Sequence, residues 1–171
     1  MKDYVLGFVA GLILGFAVSY ANAAPLTPEQ ARGIYAVAYG QCPSMSGMQD
    51  GCPPEWLQQM PTIHVVSSEK LCDLAVGKPQ CSVLGMYQSD NVYILDTLDF
   101  ETVWAASILL HEYIHHFQQL KSGPAYDCET WLAYETQAYM IQAQVLQKAG
   151  EYMTARAVMI SMRQMPRCTE Q

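Results

Sequence analysis

The spacing of apolar positions changes period twice along this chain. Residues 27–39 follow a helical period: Thr27 can cap, Pro28 suits the first helical position, and Gln30 completes a capping box. From Gly40 to Pro61 the period is lost and Gly, Pro, Ser and Asp accumulate, which predicts an irregular loop. "TIHVVS" is dense in β-branched residues and predicts a strand. "SVLGMY" and "VYIL" flank the polar "QSDN", predicting a hairpin with a turn of about four residues. Helical spacing returns at Asp99, read as a cap with Glu101 in the first turn, and "SGP" at 122–124 supplies a stop. A second helix runs from near Asp127 to Gly150, and a third covers about 151–164. These elements predict an α+β domain with a small antiparallel or mixed sheet.

Within the helix that begins near Asp99, "SILLHEYIHHFQQL" places three of the four histidines within six positions of an otherwise apolar stretch. Residues four apart on a helix share a face, so His111 and His115 present two imidazoles to one point. With Glu112 they form H-E-x-x-H. Two neutral imidazoles at this spacing bind zinc, and the glutamate beside the first is the base for the water that the ion activates. His116 is turned about 100° away and is expected in the core or behind the ligands. Gln118, one turn beyond His115, reads either as a hydrogen-bond partner near the site or as a solvated side chain, and His64, in a predicted strand, is expected to be structural.

A catalytic zinc needs a third protein ligand. The version with a third nearby histidine is excluded, because Gln118 and Ser122 occupy its glycine and histidine positions. Glu129 and Glu135 remain, and helix geometry separates them. The short connection predicts antiparallel helices, in which His115 lies about 10 Å before the turn and Glu135 about 12 Å after it, whereas Glu129 is only about 3 Å in. Glu135 also lies in the stripe Trp131, Leu132, Ala138, Tyr139 and Leu146, where a carboxylate is costly unless paired or metal-bound. Glu129 is expected to be a solvated first-turn charge. Tyr139, one turn beyond Glu135, reads either as a donor to a developing oxyanion or as a buried tyrosine packing its ring.

"HEYIHH" followed by "YETQAY" resembles the gluzincin zinc peptidases, above all the small single-domain minigluzincin type, over about residues 83–144. The resemblance implies a zincin-like minimal metallopeptidase fold. In that fold two helices supply H-E-x-x-H and a glutamate beside a small sheet whose edge strand lines the cleft, and peptide bonds are the substrate. Larger gluzincins often carry E-x-x-x-D, the aspartate supporting a zinc histidine. Here the fifth position is Tyr139, which leaves that support unassigned.

Composition places this chemistry. Lys2, an apolar run from Tyr4 to Tyr20 and small residues at Ala21 and Ala23 have the layout of a signal peptide cleaved after Ala23, leaving one domain over 24–171. The competing layout is an uncleaved membrane anchor, in which Gly7, Gly11 and Gly15 would pack as in close membrane helices. The formal charge of −7 survives removal of residues 1–23, because Lys2 and Asp3 leave together, and scattered Lys and Arg argue against nucleic acid. The six cysteines all lie after the leader, which reads as a disulfide framework in a secreted or periplasmic protein. Short local loops predict Cys42 with Cys52 and Cys72 with Cys81, leaving Cys128 with Cys168.

The sequence therefore predicts an exported zinc metallopeptidase acting on a peptide or protein substrate. His111, His115 and Glu135 are the expected ligands, Glu112 the base and Tyr139 a further catalytic candidate. "VYIL", just before the zinc helix, is expected to hold an extended peptide by backbone pairing. The alternative is a non-catalytic zinc-binding or disulfide-stapled envelope interaction protein, although zinc binding alone would not require a base at Glu112. Neither G-x-S-x-G nor a phosphate-binding glycine loop occurs.

Overall fold

The computed structural model describes residues 23–45, 47, 48, 50–165, 167 and 168. The expected leader, apart from Ala23, lies outside the described residues. Helix α1 spans Pro28–Tyr39, and its capping box forms as anticipated: Thr27 Oγ1 accepts from the Gln30 amide while Gln30 Oε1 accepts from the Thr27 amide. The loop after it contains two 3₁₀ turns, Cys42–Ser44 and Pro54–Gln58. It is held against the helices: the Tyr35 hydroxyl donates to the Trp56 carbonyl, and the Trp56 ring stacks on Phe117.

The sheet has three strands, β1 (Thr62–Val66), β2 (Gly85–Gln88) and β3 (Asn91–Leu95), in the order β1-β3-β2. Strand β3 pairs in parallel with β1 and antiparallel with β2. "VYIL" is thus the central strand, with both edges occupied, and not the expected peptide-binding edge; the open edge near the helices belongs to β2. The hairpin turn is tighter than anticipated. Only Ser89 and Asp90 lie between the strands, at φ 48° and 61°, as a two-residue hairpin requires.

Helix α2 (Ser68–Val76) was not anticipated from the pattern, although Ser67 caps it and Gly77 ends it in the left-handed region. Helix α3 spans Val103–Ser122, four residues later than the expected cap. Thr102 caps it instead, accepting from the Ala105 amide, while Glu101 precedes the helix. Asp99 is committed elsewhere: its Oδ1 accepts from the Ala24 and Glu101 amides, and its carbonyl accepts from the Thr102 amide and hydroxyl. Helix α4 (Cys128–Lys148), capped by Asp127, and helix α5 (Tyr152–Arg163) match the expected spans.

Helix α3 is the axis of the fold. It packs on α4, α1 and β2, and twelve of its twenty residues are buried, which explains why its apolar pattern is nearly continuous. Leu109, Tyr113, Ile114 and Phe117 join Val92 and Ile94 of the sheet and Tyr35 of α1 in the main core. A smaller cluster, Tyr139, Ala143 and Leu146 with Ala155 and Val158, glues α5 to α4. Among the described residues no helix is long and apolar enough to cross a membrane.

The disulfides pair as expected: Cys42–Cys52, Cys72–Cys81 and Cys128–Cys168. They place the chain in an oxidising environment. Because loop entropy grows with the length closed, the bridge spanning 40 residues should contribute about 4 kcal/mol and those spanning 9 or 10 about 3 kcal/mol each. Urea unfolding of a Cys128→Ser, Cys168→Ser double variant should therefore show a larger loss than Cys72→Ser with Cys81→Ser. The reverse order would mean that the 128–168 bridge closes a segment already ordered in the unfolded chain.

Candidate metal centre

Contacts between α3 and α4 run in opposite residue order: Ser107 meets Gln142, His115 meets Glu135, and Gln118 meets Tyr134 and Gln137. The two helices are therefore antiparallel. This brings Glu135 level with the two histidines, and His111, His115 and Glu135 form a group whose ligating atoms all lie within 4.8 Å of one another. The Nε2 atoms of His111 and His115 are 3.1 Å apart, Glu135 Oε2 is 3.4 Å from His111 Nε2, and Glu135 Oε1 is 3.2 Å from His115 Nε2. Glu129, by contrast, is exposed on the first turn of α4.

The orientation of both rings follows from groups that can only accept hydrogen bonds. The Gln118 amide nitrogen donates to the Tyr134 carbonyl and to Gln137 Oε1, so Gln118 Oε1 faces His115 Nδ1, at 2.8 Å. That nitrogen must be the protonated one. On the other side the Ser107 hydroxyl donates to the Trp104 carbonyl and thus accepts from Gln142 Nε2. Gln142 Oε1 is then left to accept from His111 Nδ1, at 3.2 Å. Both chains end on a backbone carbonyl, and both leave Nε2 turned toward Glu135. This is the tautomer a metal ion needs, with each ring held by a hydrogen bond on the far nitrogen.

Gln142 and Ser107 were not singled out from the sequence. Their signal was helical spacing: Gln142 stands seven residues after Glu135 and Ser107 four before His111, each on the same face as the group it serves. Gln118, flagged by its position one turn beyond His115, makes the contact just described. Tyr139 packs its ring edge-on against His111, with centroids 4.6 Å apart. Burial raises its phenol pKa, and the charges of Glu135 and Glu112 raise it further.

Electrostatics bind the group tightly. Burial alone would lower the His115 pKa, but the charge and hydrogen bond of Glu135 outweigh it and raise it to about 9. Burial would raise Glu135, and the two imidazoles overcome that and hold it well below the usual carboxylate range. Glu112 stands apart from this group. Desolvation raises its pKa, opposed by the two histidines and by a hydrogen bond from the Tyr87 backbone amide. It lies against β2 so closely that a Cβ at Gly85 would sit 2.9 Å from its Oε1.

The remaining histidines lie outside the group. His116 is fully within the core, its Nδ1 3.3 Å from the Tyr87 hydroxyl and its ring against Tyr35 and Phe117. His64 stacks on Tyr93 and pairs with Asn91 across the β1–β3 ladder.

No curated protein and no solved structure matches the chain. One family model does, over residues 50–171, a stretch that contains the sheet, helices α3 and α4 and the group His111, His115 and Glu135; the chain belongs to the family described as a domain of unknown function, DUF6647.

Proposed function

We propose that this protein is an exported zinc-dependent peptidase of the gluzincin type, with His111, His115 and Glu135 as ligands and Glu112 as general base. The observation that carries the reading is the convergence of the two Nε2 atoms on the Glu135 carboxylate. Bond lengths of about 2.0 to 2.1 Å around a tetrahedral zinc put neighbouring ligand atoms about 3.3 Å apart; here the two Nε2 atoms are 3.1 Å apart, and each faces its own oxygen of Glu135, Oε2 at 3.4 Å from His111 and Oε1 at 3.2 Å from His115. Two imidazoles and one carboxylate also suit zinc by type and leave one position for solvent or substrate. A bound zinc ion supplies Lewis acidity, lowering the pKa of water to about 7 and polarising a carbonyl oxygen.

The chain's own groups fit the rest of the chemistry. Glu112 adjoins the ligands without being one, and burial raises its pKa above that of an ordinary carboxylate, which favours its taking up a proton. Tyr139 keeps its proton, the state required for donating to an oxyanion. Peptide as substrate is supported by β2. Leu84 accepts from Leu95 in the ladder, so in antiparallel register the alternate residues Gly85 and Tyr87 turn their N–H and C=O groups to the open edge. The Tyr87 N–H is taken by Glu112, so that edge offers an extended peptide the Gly85 N–H and C=O and the Tyr87 C=O, directly beside the carboxylate.

The reading separates ligand from base. Glu112→Gln should keep one zinc per chain while hydrolysis of a peptide library falls by about 10² to 10⁴. Glu135→Ala should lose zinc and activity together, and Glu129→Ala should keep both. A wild-type protein that binds zinc yet cleaves no peptide would favour the non-catalytic alternative, and one that binds no zinc would sink both.

The glutamines give a second expectation. Gln118→Ala and Gln142→Ala each remove the acceptor that holds a ligand ring, and zinc affinity should drop about 10- to 100-fold in a competition titration against a chelator. Unchanged affinity in both would mean that the rings are held by packing alone.

Protons provide a third. Without metal His115 carries a proton at neutral pH, since its pKa is about 9, and a coordinated imidazole must release it. Zinc titrations at pH 7.5 in buffers of different ionisation enthalpy should report release of about one proton per ion. The same group sets a pH window for the metal-free protein. A raised folded pKa stabilises fully below the unfolded value of about 6.5, and that contribution disappears as pH rises through about 9. Chelated protein should thus lose stability across this interval, whereas a flat profile would contradict the His115–Glu135 pairing.

A further inference from the structure

Ala24 is held by the fold through both of its backbone groups. Its nitrogen donates to Asp99 Oδ1 at 3.2 Å, and its carbonyl accepts from the Phe100 amide at 3.1 Å. The segment that follows is tied to the same place: Leu26 packs against the main core, and Gln30 Nε2 donates to the Phe100 carbonyl. Asp99 is a firm receptor, because Leu98 and Phe100 on either side of it are both buried in the core. Its carboxylate also takes the Glu101 amide, and its carbonyl holds Thr102, the residue that caps the metal helix α3. Asp99 does not cap that helix itself, so helix capping does not account for its charge.

The sequence points to the same residue independently. Ala21 and Ala23 place the scissile bond of the leader between Ala23 and Ala24. Hydrolysis there converts the Ala24 nitrogen from a neutral amide with one proton into an ammonium with three protons and a positive charge. Cleavage one residue later would remove Ala24 from the fold altogether, and cleavage upstream would leave the nitrogen an amide.

We propose that Asp99 is the binding site for the α-ammonium group created when the leader is removed after Ala23, so that processing completes an ion pair at the turn that launches α3. The ligand of this site is a primary ammonium, supplied by the chain's own mature N-terminus. A charge-assisted hydrogen bond is roughly twice as strong as its neutral counterpart, and Ala24 and Asp99 are both partly shielded from solvent. The mature protein therefore gains stability that the precursor lacks, independently of any metal or activity.

The test is a coupling measurement on protein expressed from the full-length chain and exported, with its N-terminus read by intact mass. Unfolding equilibria are compared before and after selective acetylation of the α-amino group, in wild type and in Asp99→Asn, which keeps an acceptor oxygen but loses the charge. Acetylation should shift wild type about fivefold toward the unfolded state and the variant less than about twofold. Equal shifts in both, or a mature chain that does not begin at Ala24, overturn the proposal. Should Asp99→Asn fail to fold, the α-amino pKa of wild type decides by NMR titration. A value above the ordinary range of about 7.7 to 8.0 supports the ion pair, and one within or below that range overturns it.

Discussion

A carboxylate and two imidazoles enclosed between two apolar helices set the terms for the rest of this structure. A buried carboxylate without compensation is strongly unfavourable, and Glu135 is 7% exposed. Among the described residues its compensation comes from α3, through His111 and His115, which fixes the rotation of that helix and its level against α4. The apolar residues of α3 then have to bury the remaining sides, against α1, the sheet and Phe100, and the compact arrangement of short elements around one long helix follows.

The groups behind His111 and His115 are amides and a hydroxyl, not carboxylates. Gln118 and Gln142 orient the rings as an aspartate would, but add no negative charge. For a dication held by one carboxylate and two neutral imidazoles, the ligand set leaves a net charge of about +1, and the nearest further anion is Glu112. Under the zinc reading this reverses the metal-free electrostatics at that residue: burial favours its neutral form, whereas an adjacent cation favours the ionised form that a base requires.

Much of this was legible in the chain because its cues are local. The capping box at Thr27, the H-E-x-x-H spacing, the cap at Asp127 and the two short cysteine loops each depend on residues a few positions apart. Selecting Glu135 over Glu129 needed only the rise per residue and the apolar stripe. What escaped depended on partners distant in sequence. Asp99 has a good capping residue's chemistry, yet it is engaged by Ala24, 75 positions away, and Thr102 caps instead. "VYIL" reads equally well as an edge or a central strand, because its alternation of apolar residues says nothing about which neighbours fill its two edges. Gln142 looked like an ordinary helical polar residue until its partners Ser107 and His111 came from another helix.

The smallest element makes the tightest demand. Strand β2 is four residues long, and its open edge includes the Tyr87 amide, which already binds Glu112. Gly85, the other residue turned to that edge, stands where any side chain would press on the same carboxylate and on Ile94. If an extended peptide pairs with this edge, it must approach the very groups that hold the proposed base, so docking and positioning of the base share one strand. A shift of β2 along β3 by one residue would turn a side chain toward Glu112 and take the Tyr87 amide away from it. The Ser89–Asp90 turn opposes such a slip, since two left-handed residues in succession specify one register, and the Tyr87 hydroxyl bound to Asp90 fastens the turn back onto the strand.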